Sequence, residues 1–428
     1  MKRSVYLISA LFLGACLPRG VQIPRSPAMS LFERKAGLIS YIGKDGNVYV
    51  TDQAGTNTSQ LTSDATTPGE TAPPVVAYQI PTWSREGSEL AFMGGRNTGT
   101  ETSSGVYLAD MDSKKVRNIY NSTDEFPIYI SWSPDAKNIG MLTTAPSNQT
   151  IMLQTVPVNG GENRVLDVGS PFYWSWAPDG NVLISHKNGD NTTTTGQLAF
   201  LKLGSELTEY IIDQIPATFQ APAWSPDGAH ILLTDAAESG RQEIRLADST
   251  GANQETVGEF EVNTAFAWAQ DSEQFAYIAG NQQGATIALG PLHVGDIYGS
   301  DEIVVDDKVV CFFWSPNSRM LAYFVPYQSQ ADSTDAQAAI LLQLNILDLA
   351  SGKTHQLITY QATDEFTSIV PYFDQYHQSI TIWSPDSNNL VISLLDQDGN
   401  PIIGIIPASG TTQGRQLAEG AFATWSWK

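Results

Sequence analysis

The sequence is poor in the residues that carry most protein chemistry. Its 428 positions hold 2 cysteines, 5 histidines and 16% charged residues, with 23 lysines and arginines against 45 aspartates and glutamates. Two cysteines, Cys16 and Cys311, cannot make a disulfide framework, and Cys311 in "VVCFFW" reads as a buried, inert core thiol. A formal charge of −22 repels phosphate backbones, which excludes nucleic acid as a partner. The five histidines, His186, His230, His293, His355 and His377, show no metal-ligand spacing, so neither metal nor cofactor is expected. "DQDGN" (Asp396, Asp398, Asn400) lacks the glycine and glutamate positions of a calcium loop and reads as a hairpin turn. G-x-S-x-G, HExxH, a phosphate loop and a dinucleotide fingerprint are all missing, so the chain is expected not to be an enzyme. The N-terminal apolar run, Val5–Leu13, is too short to cross a bilayer.

That run follows Lys2 and Arg3 and leads into small residues, the pattern of an export signal over residues 1–15. It closes with Leu13-Gly14-Ala15-Cys16, which resembles the lipobox of bacterial lipoproteins. The resemblance implies cleavage before Cys16, lipid on Cys16, and anchoring to the outer face of the cytoplasmic membrane or to the outer membrane. Residues 16–36 have no alternating pattern and read as a lipidated tether, with a reach of at most roughly 70 Å.

What the chain does have is a repeated tryptophan. Trp83, Trp132, Trp176, Trp224, Trp268, Trp314, Trp383 and Trp425 each end an apolar stretch, at spacings of 49, 44, 48, 44, 46, 69 and 42 residues. The first seven lead directly into a turn of the Ser-Pro-Asp-Gly kind, whose fourth residue needs positive φ. Ala136, Ser272, Ser318 and Ser387 stand where glycine is preferred, so strain is expected there. A period in the forties, with several short alternating strands and no helical stripe, signals an all-β propeller of four-stranded antiparallel blades. Each tryptophan is then a packing wedge between blades.

The first block, "GLISYIGKDGNVYVTDQAGTNTSQLT", supplies three strands, and the last, "AFATWSWK", supplies one. Joined, residues 421–427 and 37–42 make a composite closing blade, giving eight blades over 37–428, with seven as the alternative count. The "WSPDG", "LAF" and "LYVADxxxG" strands resemble the TolB-type propeller repeats of bacterial envelope proteins. The resemblance covers essentially the whole mature domain and implies the fold rather than a particular activity.

Recognition then falls to loops. The Pro-Asp turns lie on one rim, and the longer connections 63–80, 94–104, 187–196, 326–338 and 358–380 lie on the other. Within the last of these, Tyr372, Phe373, Asp374, Gln375, Tyr376 and His377 form a candidate partner-binding segment, the aromatics as anchors and Asp374 and His377 for polar specificity. The alternative is that Phe373 and Tyr376 plug the loop against the blades. The reading is a monomeric, non-catalytic scaffold that binds unidentified envelope proteins; a propeller that handles small ligands or glycans is the competing one.

Overall fold

A computed structural model describes residues 36–144, 150–187, 196–217, 219–236, 242–327 and 341–428. The strands pair antiparallel with their sequence neighbours and form seven sheets. Sheets II to VII are four-stranded and cover residues 75–122, 127–169, 172–211, 223–260, 264–309 and 311–360. Sheet I is six-stranded and combines 389–425 with 38–60. Sheets II to VII touch in succession through their strands, the Trp383 indole beside sheet I bonds Phe313 of sheet VII, and the circuit closes where sheet I meets sheet II.

The count of eight blades is therefore corrected to seven sheets, in line with the seven-blade alternative. The reason is one unbroken strand, Arg415–Trp425. Its first half pairs with Pro401–Pro407 (Ile402↔Glu419), and its second half pairs with Leu38–Gly43 (Ile39↔Trp425, Ile42↔Phe422). The register steps beside Gly420, so the repeats beginning at Trp383 and Trp425 merge into one sheet. Trp383 itself adds only an isolated bridge to Leu390. The pairing of the two ends of the described chain is found where the sequence placed it, and it removes the free edge a linear array would leave.

The turns after the tryptophans keep their expected conformation. Gly87, Gly180 and Gly228 have φ of 71°, 70° and 74°, and Ala136, Ser272, Ser318 and Ser387 share that region at 56°, 64°, 58° and 60°. The serines gain something glycine cannot offer. Ser272 Oγ accepts from Asp227 N (3.0 Å), Ser318 Oγ from Asp271 N (3.0 Å) and Ser387 Oγ from Asn317 N (3.1 Å), each bond crossing to the preceding sheet. The tryptophans also cross. Trp132, Trp268, Trp314 and Trp383 donate Nε1–H to Thr82, Ala223, Ala267 and Phe313 carbonyls at 2.9–3.0 Å, whereas Trp425 donates to Ala36 (2.7 Å), next to a strand of its own sheet. All eight anchors are buried except the half-buried Trp224. Burying such an indole contributes on the order of 2–3 kcal/mol; at the five bonded positions the N–H also fixes the wedge, whereas the Nε1–H groups of Trp83, Trp176 and Trp224 find no partner among the described residues.

Candidate functional site

The ring has a centre, and the segment singled out in the sequence fills it. Thr363 starts a helix, Asp364–Ile369, by accepting Phe366 N on its hydroxyl while donating to the Ala421 carbonyl. Phe366 and Ile369 bury against the sheets, Pro371 opens a single 3-10 turn, and Phe373–Tyr376 makes a second short helix. This second helix lies across the inner strands and bonds to several sheets at once.

Gln375 is the hub. Its side-chain amide accepts Trp174 N and donates to Trp174 O, both at 2.9 Å, as a neighbouring strand would. Its backbone carbonyl accepts the Tyr129 hydroxyl (3.0 Å). Asp374 Oδ2 accepts Ala221 N (2.7 Å), and Thr82 Oγ1 donates to the Ser379 carbonyl. Tyr376 meets Tyr129 edge-on at 4.9 Å, and Phe373 packs on Phe312 and Phe313 at 4.9 and 5.5 Å. The innermost strands of a propeller carry unpaired backbone groups, and the plug satisfies several of them.

The structure thus buries Phe373, Asp374, Gln375 and Tyr376 and half-buries His377, while Tyr372 stays 51% exposed. The four buried side chains offer no surface to a partner, and the plug alternative describes them. Their electrostatics follow from burial. The Asp374 carboxyl is raised to about 7, chiefly by desolvation, and its backbone hydrogen bonds hold it lower than burial alone would. His377 and His186 are lowered to about 4 for the same first reason. Burial likewise raises the Cys311 thiol, which keeps it unreactive.

Two cavities flank the plug. On the rim opposite the Pro-Asp turns, a cleft of about 760 Å³ opens between four connections: 42–46, 66–80, 363–368 and 395–401. Ile42, Val76, Tyr78, Leu395 and Phe422 give it apolar walls, and Glu70, Asp364 and Glu365 give it an acidic margin. Enclosure, followed by the Asp364 charge, raises the Glu365 carboxyl. Lys44, the one cation lining the cleft among the described residues, already pairs with Glu419. The loop wall is braced by Tyr78 OH on Asp64 Oδ1, Arg96 on Asp64 Oδ2 (both 2.7 Å), and close approach of Gly99 to Pro73. Connections 63–80, 94–104 and 358–380 therefore gather in one sector. Most of 187–196 and 326–338 lies outside the described residues, as does Cys16.

On the other face, the Pro-Asp turns surround a bowl of about 340 Å³ whose floor is the plug, from His377 to Thr381. Among the described residues, no three His, Cys, Asp or Glu side chains converge as metal ligands. Asp396 Oδ1 accepts Asp398 N and Asn400 N (2.9 and 2.8 Å), the hairpin geometry expected of that turn.

What the sequence reading missed is the plug's helicity. Phe366, Ile369, Phe373 and Tyr376 recur every three or four residues, a stripe that a count of strands overlooked.

No family model and no curated protein matches the chain. Solved structures do. A eukaryotic initiation factor aligns at TM-score 0.51 and 13% identity over 91% of this chain and 98% of its own. Oligogalacturonate lyase from Vibrio parahaemolyticus aligns at 0.50 and 13% over 87% and 98%. TolB from Acinetobacter baumannii aligns at 0.39 and 14% over 82% of each chain. Identities this low carry the propeller fold and nothing finer.

Proposed function

We propose that the chain is a lipid-anchored, extracytoplasmic propeller that works as a protein-interaction scaffold and recognises its partner in the rim cleft. The observation that carries this reading is the cleft itself: four connections from distant parts of the chain assemble an apolar trough with an uncompensated acidic margin. Such a site suits a basic segment with apolar side chains, held by burial and steered by charge. Ala36 and Gly37, where the described chain begins, sit beside Pro385 and Ser426 on the Pro-Asp face, opposite the cleft.

The test is capture from native membranes with the lipidated chain as bait, comparing wild type with a Glu70→Lys/Glu365→Lys double variant. Both residues are exposed, so the variant folds. The reading predicts an envelope protein enriched by wild type and reduced about tenfold or more by the variant, the scale of one or two charge-assisted contacts. Equal enrichment by both would contradict the cleft. A Cys16→Ala chain still in the membrane fraction would contradict the anchor.

A further inference from the structure

The bowl on the Pro-Asp face is lined differently from the rim cleft. Among the described residues, its lining contains no aspartate or glutamate, in a chain that carries 45 of them. It contains one arginine, Arg85, and one histidine, His377, which burial keeps neutral near pH 7.

Arg85 has an unusual place in the repeat. The turn position it occupies is proline at 134, 178, 226, 316 and 385, and is polar only at Arg85 and Gln270. These two stand on sheets II and VI, with three sheets between them one way round the ring and two the other, so they face each other across the mouth. Glu86, beside Arg85, is taken by Lys428 Nζ at 2.6 Å. Among the described residues, the Arg85 guanidinium has no hydrogen-bond or ion-pair partner. Partial enclosure lowers its pKa, and the neighbouring Glu86 charge offsets part of that. Pro134, Pro178 and Pro226 give the mouth an apolar ring, and Gln378 and Ser379 give the floor polar groups. A volume of about 340 Å³ lies at the small end of ligand pockets, which span roughly 300–1,000 Å³.

We propose that this bowl binds a small organic carboxylate, with the carboxylate on the Arg85 fork, the body against the proline ring, and a polar end toward Gln270. The fork matches a carboxylate with two parallel N–H donors, which a point charge does not. Two sources share this chemistry, a sugar acid and an acylated amino acid, and the experiment separates them.

Ligand-observed NMR and calorimetry are run on the full chain with glucuronate against glucose, and N-acetylalanine against its methylamide. At least one carboxylate should bind, about tenfold more tightly than its neutral analogue, and Arg85→Gln should weaken it by about tenfold, the worth of one charge-assisted pair. Arg85→Lys should fall between, and Gln270→Glu, which puts a carboxylate in the mouth, should weaken binding as well. Arg85 and Gln270 are both exposed turn residues, so these variants are expected to melt like wild type. Glucuronate binding alone assigns the sugar source, and N-acetylalanine binding alone assigns the amino-acid source. Equal binding by Arg85→Gln, equal binding of the neutral analogues, or no carboxylate binding at roughly 10 mM, where affinity falls below about 3 kcal/mol, would overturn the proposal.

Discussion

At the scale of single residues, the informative positions are those where a local rule is broken and something is gained. Ser272, Ser318 and Ser387 hold φ values that glycine adopts freely, at a cost of roughly 1 kcal/mol each. Each returns a hydrogen bond to the preceding turn, worth about 1 kcal/mol net. The two nearly cancel, which leads to an unusual expectation. Ser272→Ala keeps the strain and loses the bond, so its denaturant midpoint should fall by the equivalent of about 1 kcal/mol. Ser272→Gly loses both and should stay close to wild type. If alanine proved harmless, the cross-sheet bond would contribute nothing. Where glycine is retained, at Gly180, a side chain would meet the Asp135 carboxylate at about 3 Å, so serine could not make the same exchange there.

At the scale of elements, the plug is the one whose energetics depend on pH. Asp374 titrates near 7 when folded, against 3.8 as its ordinary value, so the folded chain binds the extra proton. Its contribution is fully present below pH 3.8 and is lost as pH rises through about 7. Between pH 6 and 8 this amounts to about 1.4 kcal/mol. His186 and His377 act in the other direction, since their folded values near 4 mean stability is lost as pH falls below 6.5. Two histidines outweigh one aspartate between about pH 4 and 6.5, so the melting temperature should rise from pH 5 to about 7 and change little above that. Asp374→Asn keeps an acceptor for Ala221 N and removes the titration. Melting curves from pH 5 to 9 should show the rise between pH 5 and 7 steeper in the variant than in wild type, because the opposing Asp374 slope is gone, with little difference in slope above pH 8. An equal rise in both proteins would show that Asp374 does not titrate in this range.

Elements also show where sequence patterning suffices. After Trp224 the alternating stretches HILLTD, EIRLADST and QETVGEF read as strands from sequence alone, and strands form at His230–Ala236, Gln242–Asp248 and Glu255–Phe260, because each needs only its own turn and a half-buried face. The plug was harder to read. Its helical stripe is short, interrupted by Pro371, and dominated by aromatics that suit a recognition loop equally well. Only the positions of Tyr129, Trp174 and Ala221, far away in sequence, reveal that Gln375 and Asp374 are structural.

At the scale of the molecule, closure of the ring was legible and the number of sheets was not. The pairing of 38–43 with 420–425 follows from complementary strand shortages at the two ends. The merging of the last two repeats depends on whether one strand runs straight through Gly420 or breaks there, which spacing does not record. The rim cleft could be anticipated as a cluster of long connections, but its acidic margin could not, since 45 carboxylates can be grouped by eye in many ways. The bowl left a signal that was available and unused: two polar residues in an otherwise proline turn position.

The account rests on a ring whose centre is sealed by its own chain, which leaves recognition to the two faces and not to a through-channel. Hydrogen–deuterium exchange on the full chain tests this most directly. Amides such as His377 N, Ser379 N and Ile380 N, bonded within the plug, should be protected on the timescale of the inner strands, for hours and not seconds. Exchange of residues 373–380 within seconds, while the flanking sheets remain protected, would show an open channel and contradict the account.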